Sequence, residues 1–244
     1  MPIMYYDIYV DFLVPDISKL MQFARELGFS GICICTSDVK ILREISSSIS
    51  KNEIDLDVGV RFSIRENNVR RIKDILPNIR RYVDIISVVC TNREVSAWSA
   101  RDGRIDILTF DSYESLRVFA EGAARLAGEN KKAIEMPIRL LLTARGIKRA
   151  RLLHEVRRVL WLARRFGSDV VISSGARSIY EMRAPRDVLS IAITLLGLDK
   201  DTALKAISEI PRKIIETSRE KRSRNFVLPG VRIVGKMGDK NGKV

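Results

Sequence analysis

Histidine and glutamine are almost missing from this 244-residue chain: each occurs once, at His154 and Gln22. A hydrolytic metal cluster needs several histidine and carboxylate ligands, so one histidine in the middle of an expected helix argues against such a cluster. Cysteine is scarce too. Cys33, Cys35 and Cys90 all lie inside apolar runs, and Cys33-x-Cys35 puts both thiols on one face of a strand. That suits reduced core residues better than a disulfide scaffold and points to the cytoplasm. No run of about 18 uninterrupted apolar residues occurs, so a membrane-spanning helix is not expected. The opening MPIMYYDIYV lacks the basic-then-apolar pattern of a secretion signal. A G-x-S-x-G elbow and an activated-cysteine context are also missing, which leaves nucleophilic catalysis without a signature.

What is abundant is positive charge. Lys and Arg number 43 against 30 Asp and Glu, a net +13. Residues 1–57 hold five basic and nine acidic side chains, a balance of −4, which leaves +17 for the remaining 187 residues. Such asymmetry points to a polyanionic partner for the later part of the chain. A surface bias of the thermophile kind, rich in Arg, Lys and Glu, explains plentiful charge. It does not require an excess of one sign.

Apolar runs at 4–12, 31–36, 56–62, 84–90, 104–110, 132–136 and 169–173 predict strands. Between them, 16–28, 38–50, 67–82, 92–100, 112–128 and 146–166 repeat at helical period, and helices over about 185–197 and 201–220 follow the last strand. Asp16 and Ser112 suit N-caps, Gly28, Gly167 and Gly197 suit helix ends, and Pro185 suits a first turn. Strict βα alternation with strands apolar on both faces implies a parallel sheet covered by helices. With no Gly-rich nucleotide fingerprint after the first strand, the expected fold is a TIM-like (β/α) barrel of about seven parallel strands plus extra C-terminal helices, in one domain over residues 1–224. Residues 225–244 are Gly-rich, basic and aperiodic, a flexible tail in which FVLPGVRIV could add an edge strand.

In such barrels chemistry belongs at the C-terminal strand ends. Asp7, Asp11, Asp111 and Glu135 lie near those ends and could hold Mg²⁺ through waters, but no paired-carboxylate or nucleophile–base motif supports a site. Capping or ion-pairing of Asp7 and Asp11 at the mouth is the better account. Neither catalytic nor metal-binding residues are assigned.

The basic charge has three foci. Residues 139–165 carry nine Lys/Arg and one acid, Glu155. On the helix within them, Leu152, Val156, Val159, Leu160 and Ala163 form the inner side. Arg151, Arg158 and Arg165 recur every seven residues opposite, beside His154 and Trp161. An exposed tryptophan among arginines suits stacking or docking, and an arginine-rich helix with Trp161 tucked against a loop is the alternative. The second focus is SSGARSIYEMRAPRDV, 173–188. There Ser173, Ser174 and Gly175 could form a turn whose N–H groups cradle phosphate, with Arg177, Arg183 and Arg186 nearby. A plain barrel loop is equally compatible. The third, Arg101 and Arg104 around Asp102-Gly103, reads as an ordinary turn at the N-terminal rim.

DGRIDILTF (102–110), VVISSGARSIYEMRAPRDVLSIAITLLGL (170–198) and ISEIPRKIIE (207–216) together resemble the archaeal family of ribonuclease P protein component 3, over residues 4–220. That family is related to the polymerase-and-histidinol-phosphatase barrels, whose metal site opens with His-x-His on the first strand. Here DIYVD (7–11) has Tyr9 and Asp11 at those places. The resemblance implies a ribonucleoprotein subunit that supports an RNA cutting the 5′ leader from precursor tRNA with Mg²⁺. It also implies partnership with the small ferredoxin-like component 2, and RNA contacts at Arg104, Arg183, Arg186 and Arg177. The competing expectations are a stand-alone metal-dependent phosphoesterase and a protein-docking module with incidental charge.

Overall fold

The computed structural model describes residues 3–11, 17–50, 54–222, 226–228 and 231–232. Seven strands, β1 (Tyr6–Asp11), β2 (Gly31–Thr36), β3 (Asp57–Ile64), β4 (Ile85–Val89), β5 (Ile107–Thr109), β6 (Ala133–Pro137) and β7 (Val170–Ser173), pair in chain order, every neighbour parallel. The helices are α1 (Ile17–Glu26), α2 (Ile41–Ser50), α3 (Val69–Ile79), α4 (Arg93–Arg101), α5 (Tyr113–Val118), α6 (Glu121–Glu129), α7 (Arg139–Thr143), α8 (Gly146–Arg165), α9 (Pro185–Thr194), α10 (Lys200–Ala206) and α11 (Glu209–Arg222). Outward strand residues such as Ile32, Ile34, Phe62, Ile86, Val88 and Ile134 join the helices in the main core. Inward ones, Ile8, Cys33, Ile85, Ile107, Ala133 and Val171, make a separate cluster inside the sheet. Two buried faces explain the continuous apolar runs. The three cysteines are free and buried, and burial pushes the Cys35 and Cys90 thiols up to about 12.

Among the described residues seven strands form the barrel sheet, one short of eight, and the seam between β1 and β7 is closed by other means. A single parallel bridge joins Val10 to Ala176 just past β7. The Asp11 N–H donates to the Ala176 carbonyl at 2.7 Å, and the Tyr6 N–H donates to the Ile207 carbonyl at 2.9 Å. The Ser174 N–H donates to Asp7 Oδ1 at 3.0 Å, and its hydroxyl donates to the Tyr9 carbonyl at 3.1 Å. These bonds satisfy edge groups that an eighth strand would otherwise take.

At the N-terminal end, α11 caps the interior. Ile215 joins the inner cluster, with Ile210 and Ile214 packed against it. Arg219 pairs with Asp57 (2.7 Å) and Asp84 (3.1 Å), and Arg222 also pairs with Asp84. Arg80 pairs with Asp106 at 2.7 Å and donates to the Ser218 hydroxyl at 3.0 Å.

Ser112 caps α5 in a reciprocal capping box with Ser115, and Pro185 sits in the first turn of α9, both as expected. Two expected helices are each broken in two. Residues 112–128 divide at Phe119, whose extended backbone drives its ring into the core, edge-on to Phe110 at 5.4 Å. Residues 201–220 divide at Ile207, whose carbonyl is committed to β1. A short helix, α7, precedes α8 where none was expected. Of FVLPGVRIV, Phe226–Leu228 and Val231–Arg232 pair with each other as an antiparallel ribbon, a correction to the edge-strand expectation, because this ribbon is a sheet separate from the barrel. The rest of the expected tail, and the Asp16 cap, lie outside the described residues.

Candidate nucleic-acid interface

The centre of the barrel holds an ion pair. Arg61 projects inward from β3, wholly buried, and its guanidinium meets Glu135 of β6 through two bonds of 2.5 and 2.6 Å. Its Nε donates to the Ser87 hydroxyl at 3.0 Å, its Nη1 also to the Ile8 carbonyl at 3.0 Å, and the Tyr9 ring lies 4.1 Å from its Cζ. The Thr109 hydroxyl donates to the second Glu135 oxygen at 2.6 Å. Burial alone would pull the Arg61 pKa down. The Glu135 carboxylate more than offsets this, so the guanidinium is held charged.

The remaining carboxylates near the mouth are committed separately. Asp7 lies at the β1–β7 seam, bound to the Ser174 and Tyr9 amides. Burial pushes its carboxyl up to about 6, against the lowering effect of the Ser174 bonds. Asp11 stands 3.6 Å from Arg177, and Asp111 pairs with Arg65 at 2.9 Å. Among the described residues, no three His, Cys, Asp or Glu side chains come together as a metal site. A divalent ion does not fit this donor set: an arginine fills the middle, and it takes both oxygens of Glu135. The phosphoesterase expectation loses its reaction centre with that pair.

Above this plug, the C-terminal rim carries arginine from several loops. A groove of about 630 Å³ is lined by Arg65, Glu66, Asn67, Asn68 and Arg71. A second hollow, about 320 Å³, lies beside Arg93, Tyr113 and Arg117. At the end of β7, Arg177, Arg183 and Arg186 surround a 3-10 turn at Ile179–Glu181. Arg183 uses Nη1 for the carbonyls of Tyr180 and Met182, both at 2.8 Å. Arg186, exposed in the first turn of α9, has no ion pair among the described residues.

The turn expected to cradle phosphate must be corrected. Ser173 and Ser174 are buried, and the Ser174 N–H and hydroxyl are consumed by Asp7 and Tyr9. Gly175 adopts φ +62° with Pro137 so near that a Cβ would lie 2.8 Å from it. The glycine is needed for a left-handed turn packed inward, not for approach to a ligand. The missing strand explains this use: the turn had to close the seam.

On α8 the inner side is as expected, with Leu152, Val156, Val159, Leu160 and Ala163 all buried. Arg151 and His154 are exposed, and Trp161 is 56% exposed with the Arg165 guanidinium 5.0 Å from its ring centre. Arg158 departs from the expected solvent stripe. It reaches sideways, donating to the carbonyls of Leu116 (2.6 Å) and Phe119 (2.9 Å) and pairing with Glu155 at 2.7 Å, so it fastens α8 to the end of α5. Arg104 lies at the opposite, N-terminal end of the barrel, bound through two nitrogens to Asp102 at 2.9 and 2.7 Å. The structure thus gathers Arg177, Arg183 and Arg186 on one rim, spreads Arg151 and Arg165 along α8, and separates Arg104 from both groups.

A family model described as RNase P subunit p30 matches residues 4–223. The chain belongs to that family. Ribonuclease P protein component 3 of Methanosarcina barkeri is 32% identical over 234 residues, covering 94% of this chain and 95% of that protein. Its namesake in Methanothermobacter thermautotrophicus is 26% identical over 227 residues, 88% of this chain and 89% of that one. Among solved structures, a chain in a cryo-EM structure of archaeal ribonuclease P with mature tRNA matches with a TM-score of 0.78 at 24% identity, covering 96% of this chain and all of that one. A crystal structure of an amidohydrolase matches with a TM-score of 0.58 at 9% identity, over 89% of this chain and 75% of that one. The structural likenesses are of fold alone.

Sequence reasoning passed over Arg61, although one arginine inside the apolar run LDVGVRF was a visible signal. It also passed over the rim arginines at 65, 71, 93 and 117, which lie in the loop after β3 and in α3, α4 and α5 and adjoin in pairs only when the barrel forms.

Proposed function

We propose that this chain is a protein subunit of ribonuclease P, the ribonucleoprotein that removes the 5′ leader from precursor tRNA, and that it grips the folded RNA without a reaction centre of its own. On this reading the RNA carries the Mg²⁺-dependent chemistry. The small ferredoxin-like component 2 is a protein partner, precursor tRNA is engaged indirectly, and the assembly works in the cytoplasm. The observation that carries the reading is an arginine-bearing rim above a barrel centre filled by Arg61 and Glu135. Folded RNA is contacted chiefly through phosphates and 2′-hydroxyls, for which distributed guanidinium groups suffice. The named relatives, ribonuclease P protein component 3 over nearly their full length, support it.

Reconstitution tests it. The isolated chain should cleave no precursor tRNA, and its addition to the RNA and the other proteins should raise turnover at low Mg²⁺. Arg183→Ala and Arg186→Ala should each weaken RNA binding and reduce the slope of log K against log salt by about one. A complex fully active without this chain, or unchanged slopes in both variants, overturns the proposal.

A further inference from the structure

Tyr180 is the most exposed large hydrophobic side chain among the described residues, at 82%. Its backbone is nonetheless fixed. Met182 is buried and Ile179 packs against the core on either side. The Glu181 carboxylate accepts the Arg177 N–H at 2.9 Å and Arg139 Nε at 3.0 Å, and Arg183 binds the Tyr180 carbonyl from below. A ring held out by a rigid 3-10 turn gives up little conformational freedom when something stacks on it.

The ring's surroundings decide what that something is. Exposed Arg177 precedes it, and Arg183 and Arg186 follow it. Neither Arg183 nor Arg186 has a carboxylate partner among the described residues, so their charge stays open to a phosphate. The apolar residues flanking it, Ile179 and Met182, are turned into the core, and the others from 177 to 183 are polar or charged, whereas a protein-docking site is an aromatic anchor within a wider apolar patch. Arg177 is answered by Asp11 at 3.6 Å, so the open guanidinium groups are the two that follow, and an exposed ring beside them matches a nucleotide: a flat base and its adjoining phosphates. Bases in a duplex have both faces covered, so the base must be unpaired.

We propose that Tyr180 is a stacking platform for one unpaired RNA base, with Arg183 and Arg186 holding the adjoining phosphates. This rests on the RNA-binding reading above and names the kind of RNA element that the β7 end of the rim takes.

The test uses the full chain with a single-stranded RNA dodecamer and a blunt RNA duplex of the same length, each titrated at several salt concentrations. Tyr180→Ala should weaken single-strand binding about ten-fold, within what one base–aromatic stack supplies, and should leave the salt slope unaltered because no charge is lost. Tyr180→Phe should bind as the parent does, and duplex binding should change less than two-fold in either variant. Tyr180→Ala binding the single strand normally, or weakening both RNAs alike, overturns the platform. So does loss of association with protein component 2 while RNA affinity is kept. A parent chain that binds neither RNA sinks the function itself, a distinct result. The ring is solvent-exposed, so thermal melts of all variants should coincide; a large loss of stability in Tyr180→Ala would mark the ring as packing instead.

Discussion

Arg61→Leu tests the buried ion pair that fills the centre of the barrel. The substitution removes two bonds to Glu135, one each to Ser87 and the Ile8 carbonyl, and the face contact with Tyr9. Glu135 is left wholly buried with only the Thr109 hydroxyl on it. Removing one partner of a buried pair costs about 3–5 kcal/mol, mostly through the uncompensated charge that stays behind. At roughly 2–4 °C per kcal/mol for a domain of this size, the melting temperature should fall by about 6–20 °C. Glu135→Leu should cost a similar amount, since it strands the guanidinium. The double variant Arg61→Met with Glu135→Leu should recover most of the loss, because replacing both charges by apolar groups of similar volume is often near neutral. Urea denaturation of the parent, the two singles and the double closes the cycle. Singles within about 1 kcal/mol of the parent, or a double as damaged as the two singles added together, would refute the idea that each charge is there to satisfy the other.

Two further outcomes follow from neighbouring geometry. On α8, Arg158→Ala should destabilise folding by about 1–3 kcal/mol by stranding the Leu116 and Phe119 carbonyls. Trp161→Ala should change stability by about 0.5 kcal/mol or less and instead weaken RNA or partner binding. The reverse order in urea denaturation would show that the two faces of α8 have been exchanged. At the seam, Asp7 titrates at about 6 when folded, above its ordinary 3.8, because burial disfavours the charged carboxylate. The folded chain therefore holds this proton more tightly than the unfolded one, and stability should decline as pH rises from about 4 through 6, by something on the order of 3 kcal/mol. Asp7→Asn keeps an acceptor for the Ser174 N–H and should flatten that stretch of the curve; an unchanged profile would place the titration elsewhere.

The seven strands were legible because parallel strands buried on both faces are unbroken apolar runs, and local spacing reports that directly. The helix breaks at Phe119 and Ile207 were not, because helical periodicity continues through both. What interrupts it is distant: the Phe110 ring in one case and the Tyr6 amide in the other. The Arg61–Glu135 pair spans 74 residues, and neither residue alone foretells the other. Arg158 shared its spacing with Arg151 and Arg165, but the end of α5 covers that flank of α8, and no heptad count can show what lies alongside. Ser173-Ser174-Gly175 had the composition of a phosphate turn. Seven strands instead of eight already meant that something must bind the free edge of β1, and these residues do so.

The distribution of partners sorts the arginines more sharply than their number does. At the N-terminal end, Arg80, Arg104, Arg219 and Arg222 are each matched to Asp106, Asp102, Asp57 or Asp84. At the C-terminal end, Arg65, Arg71, Arg139 and Arg177 are likewise matched to Asp111, Glu66, Glu181 and Asp11, but Arg183 binds only carbonyls, and Arg186, Lys148 and Arg151 have no ion pair among the described residues. An excess of +13 must be carried by cations that the chain itself does not neutralise, and Arg183, Arg186, Lys148 and Arg151 are among them. Electrostatic attraction to a polyanion follows uncompensated charge, not the count of basic residues. On the proposed function, therefore, Arg183 and Arg186 are open to RNA phosphates as they stand. Arg104, already held by two bonds to Asp102 at the far end, has a weaker claim to an RNA contact than either of them.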